Sequence, residues 1–504
     1  MGEISLFEKR VKGLGVICFF LLFMLSIRLM YIGIYSGKTL ETMAQKQQER
    51  KLAVKHTRGA FLDRNEKKIT DAGDIKLYLT DKGEISDIHG NDNVWEFNIK
   101  KRFPDTLGHL IGYTDADGEG KSGLEALYNY VLKTDGKTNV KYMADAFGNP
   151  AHSYSLEEEK SKTQTDIKLT LDVDIQKIVY NVMKKHIKKG AAVVLDIESF
   201  DILSMVSLPD FNEDKIESYT TSPDGELLNR ALMGYNAGSV FKIITAAATL
   251  EKTPEFINRT FDCRGSYDLH DGHIFSCHKK EGHGVIGFKE AFAKSCNCSF
   301  YIAGLETGAQ NIISLAEKMG IGKHLLDIGY NESSGNLPKR SIYSNAETLN
   351  ICIGQGEILV TPLHCAVIAA TVANRGKLRE VNLVDSFINK EGSINKRKSG
   401  EYELINEETA RVLSDMMREC VLSGTASYAA KSKISLAGKT GSAESGWIKD
   451  GSPLVHGWFC GFFPYEKPKY AMAILSEGGR SGAGSCVVPF VEIAEEINKI
   501  YPFR

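Results

Sequence analysis

The chain has 504 residues, enough for two to four domains, with 25% charged residues and a formal net charge of -2. That balance builds no basic surface, so nothing asks for a nucleic-acid partner. Gly at 47 and Pro at 12 are ordinary for a folded protein, and neither internal repeats nor low-complexity tracts occur.

At the amino end, Lys9, Arg10 and Lys12 precede an apolar run, Gly13–Ile27, which is followed by Arg28 and then Leu29–Tyr35. The run alone is short for a bilayer, but 11–35 is long enough once Arg28 snorkels or faces a protein partner. No small-x-small cleavage site follows cleanly, so an uncleaved single-pass anchor is expected at 11–35. The basic flank makes 1–10 a cytoplasmic tail and puts the remainder outside the cell, at the cell membrane.

Next, Leu40–Lys51 reads as a helical stalk. In Arg58–Thr70 (RGAFLDRNEKKIT) a short strand meets a polar turn at Asp63–Lys67. Residues 70–160 mix short strands with helical stretches such as Gly123–Leu132 and hold no catalytic cluster. A non-catalytic pedestal is therefore expected over 36–160, and a second domain over 161–504.

From Asp166 the pattern changes. Ile167, Leu169 and Leu171 alternate as a strand, and Asp172 can cap a helix starting near Asp174. Gly190–Phe211 holds two strands joined by the turn DIESFD, and a long helical middle follows. Sheet returns in KISLAGKTGSAE, HGWFCGFFP and KYAMAILSE, after a polar loop or hairpin at Asn389–Leu404. Sheet drawn from both ends of a domain, with helices between, predicts an α+β fold built as an α/β/α sandwich.

Chemistry is concentrated in three short motifs. In YNAGSVFKIITAAATLE, Ser239 and Lys242 lie one helical turn apart at the mouth of an apolar helix. A lysine in so dry a place can lose its proton and serve as a base. Ser295 and Asn297 flank Cys296 in KSCNCSF, and LAGKTGSAE presents Lys439, Thr440, Gly441 and Ser442. Together they supply acyl transfer: Ser239 as nucleophile, Lys242 as base, Ser295 as proton relay and Asn297 as a partner for a substrate amide. Lys439 and Thr440 would hold a substrate carboxylate, and backbone N–H groups of Ser239 and Ser442 would form an oxyanion hole. One such motif arises by accident; three in this order do not.

This trio resembles that of class B, monofunctional penicillin-binding proteins. The resemblance extends to RGAFLDRNEKKIT, with Glu66 where the family usually has glycine. It extends also to GKSGLEALYNYVL, to IGQGEILVTPLHCA with His364 at a glutamine position, to VLSGTAS and to WFCGFFPYEKPKYAMAI. It implies a penicillin-binding transpeptidase domain, a serine β-lactamase-like α/β/α sandwich, on an elongated and mostly β pedestal behind an N-terminal transmembrane helix. It also implies DD-transpeptidation of peptidoglycan stem peptides through an acyl-enzyme, acylation by β-lactam antibiotics, and a separate membrane glycosyltransferase as partner. No cofactor is required for that chemistry. RGSYDLHDGHIFSCHKKEGHG most resembles the sporulation and elongation members of Gram-positive spore formers, although no carboxy-terminal wall-binding module follows, which leans the role from a sporulation-specific one towards side-wall or general synthesis.

Four of the ten cysteines fall between 263 and 298. Cys263, Cys277, His283 and Cys298 make a sensible four-ligand zinc set beside the S-x-N motif, with His278 and Cys296 as substitutes. Related sporulation proteins suggest instead a regulatory Cys277–Cys296 disulfide, and buried inert thiols are the third reading. For the whole chain, a β-lactamase or β-lactam sensor, a DD-carboxypeptidase and a catalytically minor scaffold recruiting a wall polymerase are the competing functions.

Overall fold

The structure is a computed structural model and describes residues 2–104, 106–115, 117–158, 164–326, 329, 331–397, 400–449, 452–479 and 481–503. The chain divides into two compact units that alternate along the sequence. One comprises Met1–Thr57, Asp74–Ile99 and Asp135–Ser161; the other comprises Arg58–Gly73, Lys100–Thr134 and Lys162–Arg504. The boundary expected between 160 and 161 lies outside the described residues.

The first unit opens with a helix over Ile4–Gln48, long and apolar enough to cross a membrane and with its apolar side chains bare of protein, as a bilayer anchor requires. It contains a short π-helical stretch at Ile32–Ser36 and ends at Gln48, not Lys51. Glu49–Arg58 is instead the edge of a three-stranded sheet with Lys133–Ala144 and Pro150–Glu158. A second sheet, from Gly73–Thr80, Ile85–Ser86 and Asn93–Lys101, shares with it a small core that includes Leu79, Phe97, Val140 and Tyr142.

The second unit is organised by a five-stranded antiparallel sheet: β1 (Gly190–Asp196), β2 (Ile202–Leu208), β3 (Ala437–Lys449), β4 (Ser452–Phe463) and β5 (Tyr470–Ser476), in the order β2-β1-β5-β4-β3. Both faces are covered, so the central strands read as continuous apolar runs sorted by a period of two. Ala191, Val193 and Leu195 of β1, with Ala471, Ala473 and Leu475 of β5, pack with the helical middle of the chain, including Ile244 and Val367. Ala192, Val194, Met472 and Ile474 face the opposite way, onto Val179 and Met183 of the Val173–His186 helix and Phe490 and Ile493 of the Val487–Ile500 helix. Each Val, Leu, Ile, Met or Phe side chain among these contributes about 1.5–3 kcal/mol by leaving water, and each alanine less. The α/β/α sandwich expected from the pattern is the observed architecture. Asp172 caps its helix as expected, accepting from the Asp174 and Ile175 amides.

Two of the quoted motifs have structural reasons. Phe61–Leu62 runs parallel to Asp166–Leu169 in a four-stranded sheet of this unit, which is why the RGAFLD segment belongs with it. Glu125, of the GLE element, is buried and accepts from Arg58 Nη2 at 2.9 Å and Arg102 Nε at 2.7 Å. Glu66 has φ +63°, a left-handed conformation that explains the family's glycine there and costs a side-chain-bearing residue roughly 1 kcal/mol.

Candidate active site

The apolar run after Lys242 forms a buried helix, Lys242–Lys252, preceded by a 3₁₀ turn, Gly238–Phe241, that carries Ser239. The turn sits against β3, the edge strand of the sheet. Gly238 has φ +54°, and a Cβ there would lie 2.7 Å from the Ser442 carbonyl oxygen. On the strand side, a Cβ at Gly441 would lie 2.9 Å from Val240 Cγ1. Two glycines thus allow the serine turn and the K-T-G strand to approach as closely as they do.

Ser239, Ser295, Asn297, Thr440, Gly441 and Ser442 line one cleft of about 530 Å³, and Lys242 and Lys439 are buried at its wall. Lys242 Nζ donates to the Ser295 backbone carbonyl at 2.8 Å and to Asn297 Oδ1 at 2.7 Å, with Ser295 Oγ 3.3 Å away. Its environment is the ring of Phe300, 5.2 Å from Nζ, and other apolar groups. Burial, reinforced by the charge of Lys439, pushes the Lys242 pKa down to about 7. As a neutral amine, Lys242 has two N–H bonds, matched by the two oxygens named, and one lone pair left for a hydroxyl proton. Lys439 donates to the Thr440 carbonyl at 3.0 Å and is also lowered by burial.

The S-x-N loop is held from several sides. Ser295 has φ +57°, an unusual conformation for a residue other than glycine, asparagine or aspartate. Asn297 Nδ2 donates to the Ser276 carbonyl at 3.3 Å, which also accepts from Tyr301 Oη at 3.1 Å. The next residue, Cys277, belongs to the thiol cluster. Cys263, Cys277, His283 and Cys296 place their ligand atoms within 4.8 Å of one another. His283 Nδ1 lies 3.5 Å from Cys263 Sγ and 3.6 Å from Cys277 Sγ. Those two separations match the S···N edges, about 3.6 Å, that a tetrahedral zinc site requires. Cys296 thus completes the mutually close set, where the sequence reading put Cys298. Cys298 is buried alongside, its thiol within hydrogen-bonding reach of Cys263, Cys277 and Cys296, while His278 Nδ1 is 3.9 Å from Cys277 Sγ. Hydrogen bonds from the neighbouring thiols pull the Cys277 pKa down. All ten cysteines are free thiols.

Sequence reasoning assigned no role to several other cleft residues. Thr425 is hydrogen-bonded to Thr440 hydroxyl to hydroxyl, and Gln355 and Glu444 line the same cleft. The signals were present: Thr425 and Gln355 lie in segments that resemble family motifs, and Glu444 stands two residues beyond Ser442, the strand period.

A serine on the turn leading into a buried helix, a lysine three residues on and a K-T-G edge strand, set in an α/β/α sandwich, define a serine acyl-transfer architecture. The chain belongs to the penicillin-binding protein transpeptidase domain family, whose profile matches residues 190–498. It is 28% identical over 408 residues to stage V sporulation protein D of Bacillus subtilis, covering 77% of this chain and 62% of that one. It is likewise 28% identical over 452 residues to the peptidoglycan D,D-transpeptidase MrdA of Acinetobacter baumannii, covering 77% and 65%. The chain therefore spans just under two thirds of the length of both. Among solved structures, the penicillin-binding protein PBP2 of Helicobacter pylori superimposes with a TM-score of 0.71 at 23% identity, over 90% of this chain and 100% of that one. It has also been solved in complex with MreC, matching with a TM-score of 0.68 at 22% identity over 90% and 98%.

Proposed function

We propose that this chain is a membrane-anchored serine D-Ala-D-Ala transpeptidase that cross-links peptidoglycan stem peptides and is acylated by β-lactams. In this reading 11–35 is the anchor, 36–160 the pedestal and 161–504 the transpeptidase domain. The observation that carries it is Lys242: buried, lowered towards neutrality, and satisfied in both N–H bonds by the S-x-N motif beside Ser239.

The steps follow from those groups. The terminal carboxylate of the donor stem docks at Thr440, Thr425 and the charge of Lys439. Ser239 Oγ attacks the carbonyl of the D-Ala–D-Ala bond while its proton passes to Lys242 Nζ. The N–H groups of Ser239 and Ser442 stabilise the oxyanion. The C–N bond breaks, and the leaving amine of D-alanine takes a proton through Ser295. An amine of a neighbouring stem then attacks the ester and restores the Ser239 hydroxyl. The edge of β3 is free to pair with an extended peptide.

A structural zinc held by Cys263, Cys277, His283 and Cys296, with Cys298 as the neighbouring alternative, fits the donor spacing. When bound it supplies rigidity to the S-x-N loop and no step of the reaction. The relative MrdA is named a peptidoglycan D,D-transpeptidase, which supports the activity, and the Helicobacter pylori PBP2 solved in complex with MreC supports a protein partner. A separate glycosyltransferase would supply the glycan strands.

The test is intact mass of the full-length chain in detergent, before and after a fluorescent penicillin, beside Ser239→Ala. One stable adduct in the wild type and none in the variant is expected, and with a stem peptide D-alanine should be released while the acyl group passes to an added amine. No adduct from folded, reduced protein would overturn the reading.

A further inference from the structure

Glu444 is the one carboxylate among the described residues that line the cleft. It is exposed, and among the described residues no cation pairs with it. On β3 it shares a face with Thr440 and Ser442, because alternate strand residues point the same way, and it is paired across the sheet with Val455, which lines the cleft too. The cleft is therefore polarised. Its wall holds the buried Lys242 and Lys439 side chains, and Glu444, which no cation pairs with among the described residues, stands four strand residues beyond Thr440.

Resting on the transpeptidase reading, we propose that Glu444 is a specificity-determining residue that recognises an ammonium-bearing side chain on the donor stem, on the residue third from its carboxyl end. Length supports the assignment. Four strand residues separate Thr440 from Glu444, about 13 Å at 3.3 Å per residue. An extended peptide with its terminal carboxylate at Thr440 has the Cα of its third residue about 7 Å from that of its last. The remaining distance is that of a lysine-like side chain. A stem that supplies an amine as acceptor carries the same amine when it serves as donor, so the group Glu444 needs is present in the substrate. A penicillin without an ammonium group makes no such contact.

The experiment uses the full-length chain in detergent and compares D-alanine release from Nα-acetyl-L-lysyl-D-alanyl-D-alanine with release from its Nα,Nε-diacetyl analogue. The ratio of the two kcat/KM values within each protein cancels differences in folding yield. In the wild type the free-amine peptide should react about three- to tenfold faster, as expected for an ion pair in a half-open site. Glu444→Gln should bring the ratio to about one, and Glu444→Lys should invert it. A ratio of one in the wild type, or an unchanged preference in Glu444→Gln, overturns the inference. A preference seen only in partitioning to an added amine acceptor, and not in D-alanine release, overturns the donor assignment. A wild-type chain that takes no penicillin label at Ser239 removes the transpeptidase reading and the inference with it, and that label separates the two failures.

Discussion

The pH dependence of acylation is where the geometry at Lys242 becomes a number. Only the neutral amine can take the Ser239 proton. An ordinary lysine at 10.5 would be neutral at pH 7 in about three molecules in ten thousand, whereas one lowered to about 7 is half neutral. The burial of Lys242 therefore raises the competent fraction more than a thousandfold at neutral pH. The second-order rate of acylation by a chromogenic cephalosporin should climb about tenfold per pH unit below 7 and flatten above it. The sign follows from the direction of the shift: acid charges the amine and removes the base. Lys242→Arg, charged at every accessible pH, should lose at least a thousandfold in rate while leaving the helix intact. Stopped-flow measurement from pH 5.5 to 9 checks both. A flat profile, or one still rising in proportion to hydroxide at pH 9, would refute the assignment of Lys242 as the base.

Three further outcomes follow from the structure. Glu125→Gln leaves Arg58 a buried charge without its carboxylate, while Arg102 keeps Asp71 at 2.9 Å, and should cost about 3 kcal/mol, read as a lowered urea midpoint with the penicillin adduct still forming in the folded fraction. His364 is buried and His109 half-buried, and desolvation lowers both to pKa values of about 4 against an ordinary 6.5. The unfolded chain binds protons in that window and the folded one does not, so stability should fall as pH drops from 6.5 towards 4. The loss is up to roughly 3 kcal/mol per histidine. Replacing His364 with Gln should abolish its share, seen by denaturant titration at pH 7.5 and 5. Stripping zinc with a chelator, or Cys263→Ser, should lower acylation about tenfold through loss of order in the S-x-N loop, with native mass reporting the metal. Stoichiometric metal absent from the untreated protein would dispose of that expectation.

The sheet was legible because β1 and β5 carry apolar residues on both faces in a run of strand length, and the motif order pointed to acyl transfer. What stayed hidden depends on side chains meeting across long sequence gaps. That Glu125 answers two arginines, 67 and 23 residues away, has no local signature. His364 reads as a departure from glutamine, yet in the fold it does what an amide does. Its Nδ1 accepts from the Thr361 amide at 3.1 Å and its Nε2 faces the Gly320 carbonyl at 3.1 Å, one acceptor and one donor as glutamine offers. Only the neutral Nε2–H tautomer satisfies both bonds. The alternation of the two units was hidden as well, since the segments at 58–73 and 100–134 look no different in composition from their neighbours.

Lys242 is also the point at which the thiol cluster and the catalytic groups meet. Both acceptors that orient its amine come from a loop with a left-handed residue at Ser295, a conformation that persists only when its surroundings hold it. Cys296 lies between those two acceptors, and Cys277 follows the carbonyl that anchors Asn297. If the cluster is loosened, Ser295 can relax and the Lys242 N–H bonds lose their partners while the ammonium remains buried. Loss of the Cys277 and Cys296 charges would by itself lower the Lys242 pKa, but burial is the larger cause of its shift, and water entering the loosened wall relieves that burial, so the pKa moves back towards the ordinary lysine value. Damage at the cysteines should accordingly appear as a displacement of the acylation profile to higher pH as well as a lower plateau. That displacement distinguishes a cluster that positions the base from one that only stabilises the fold.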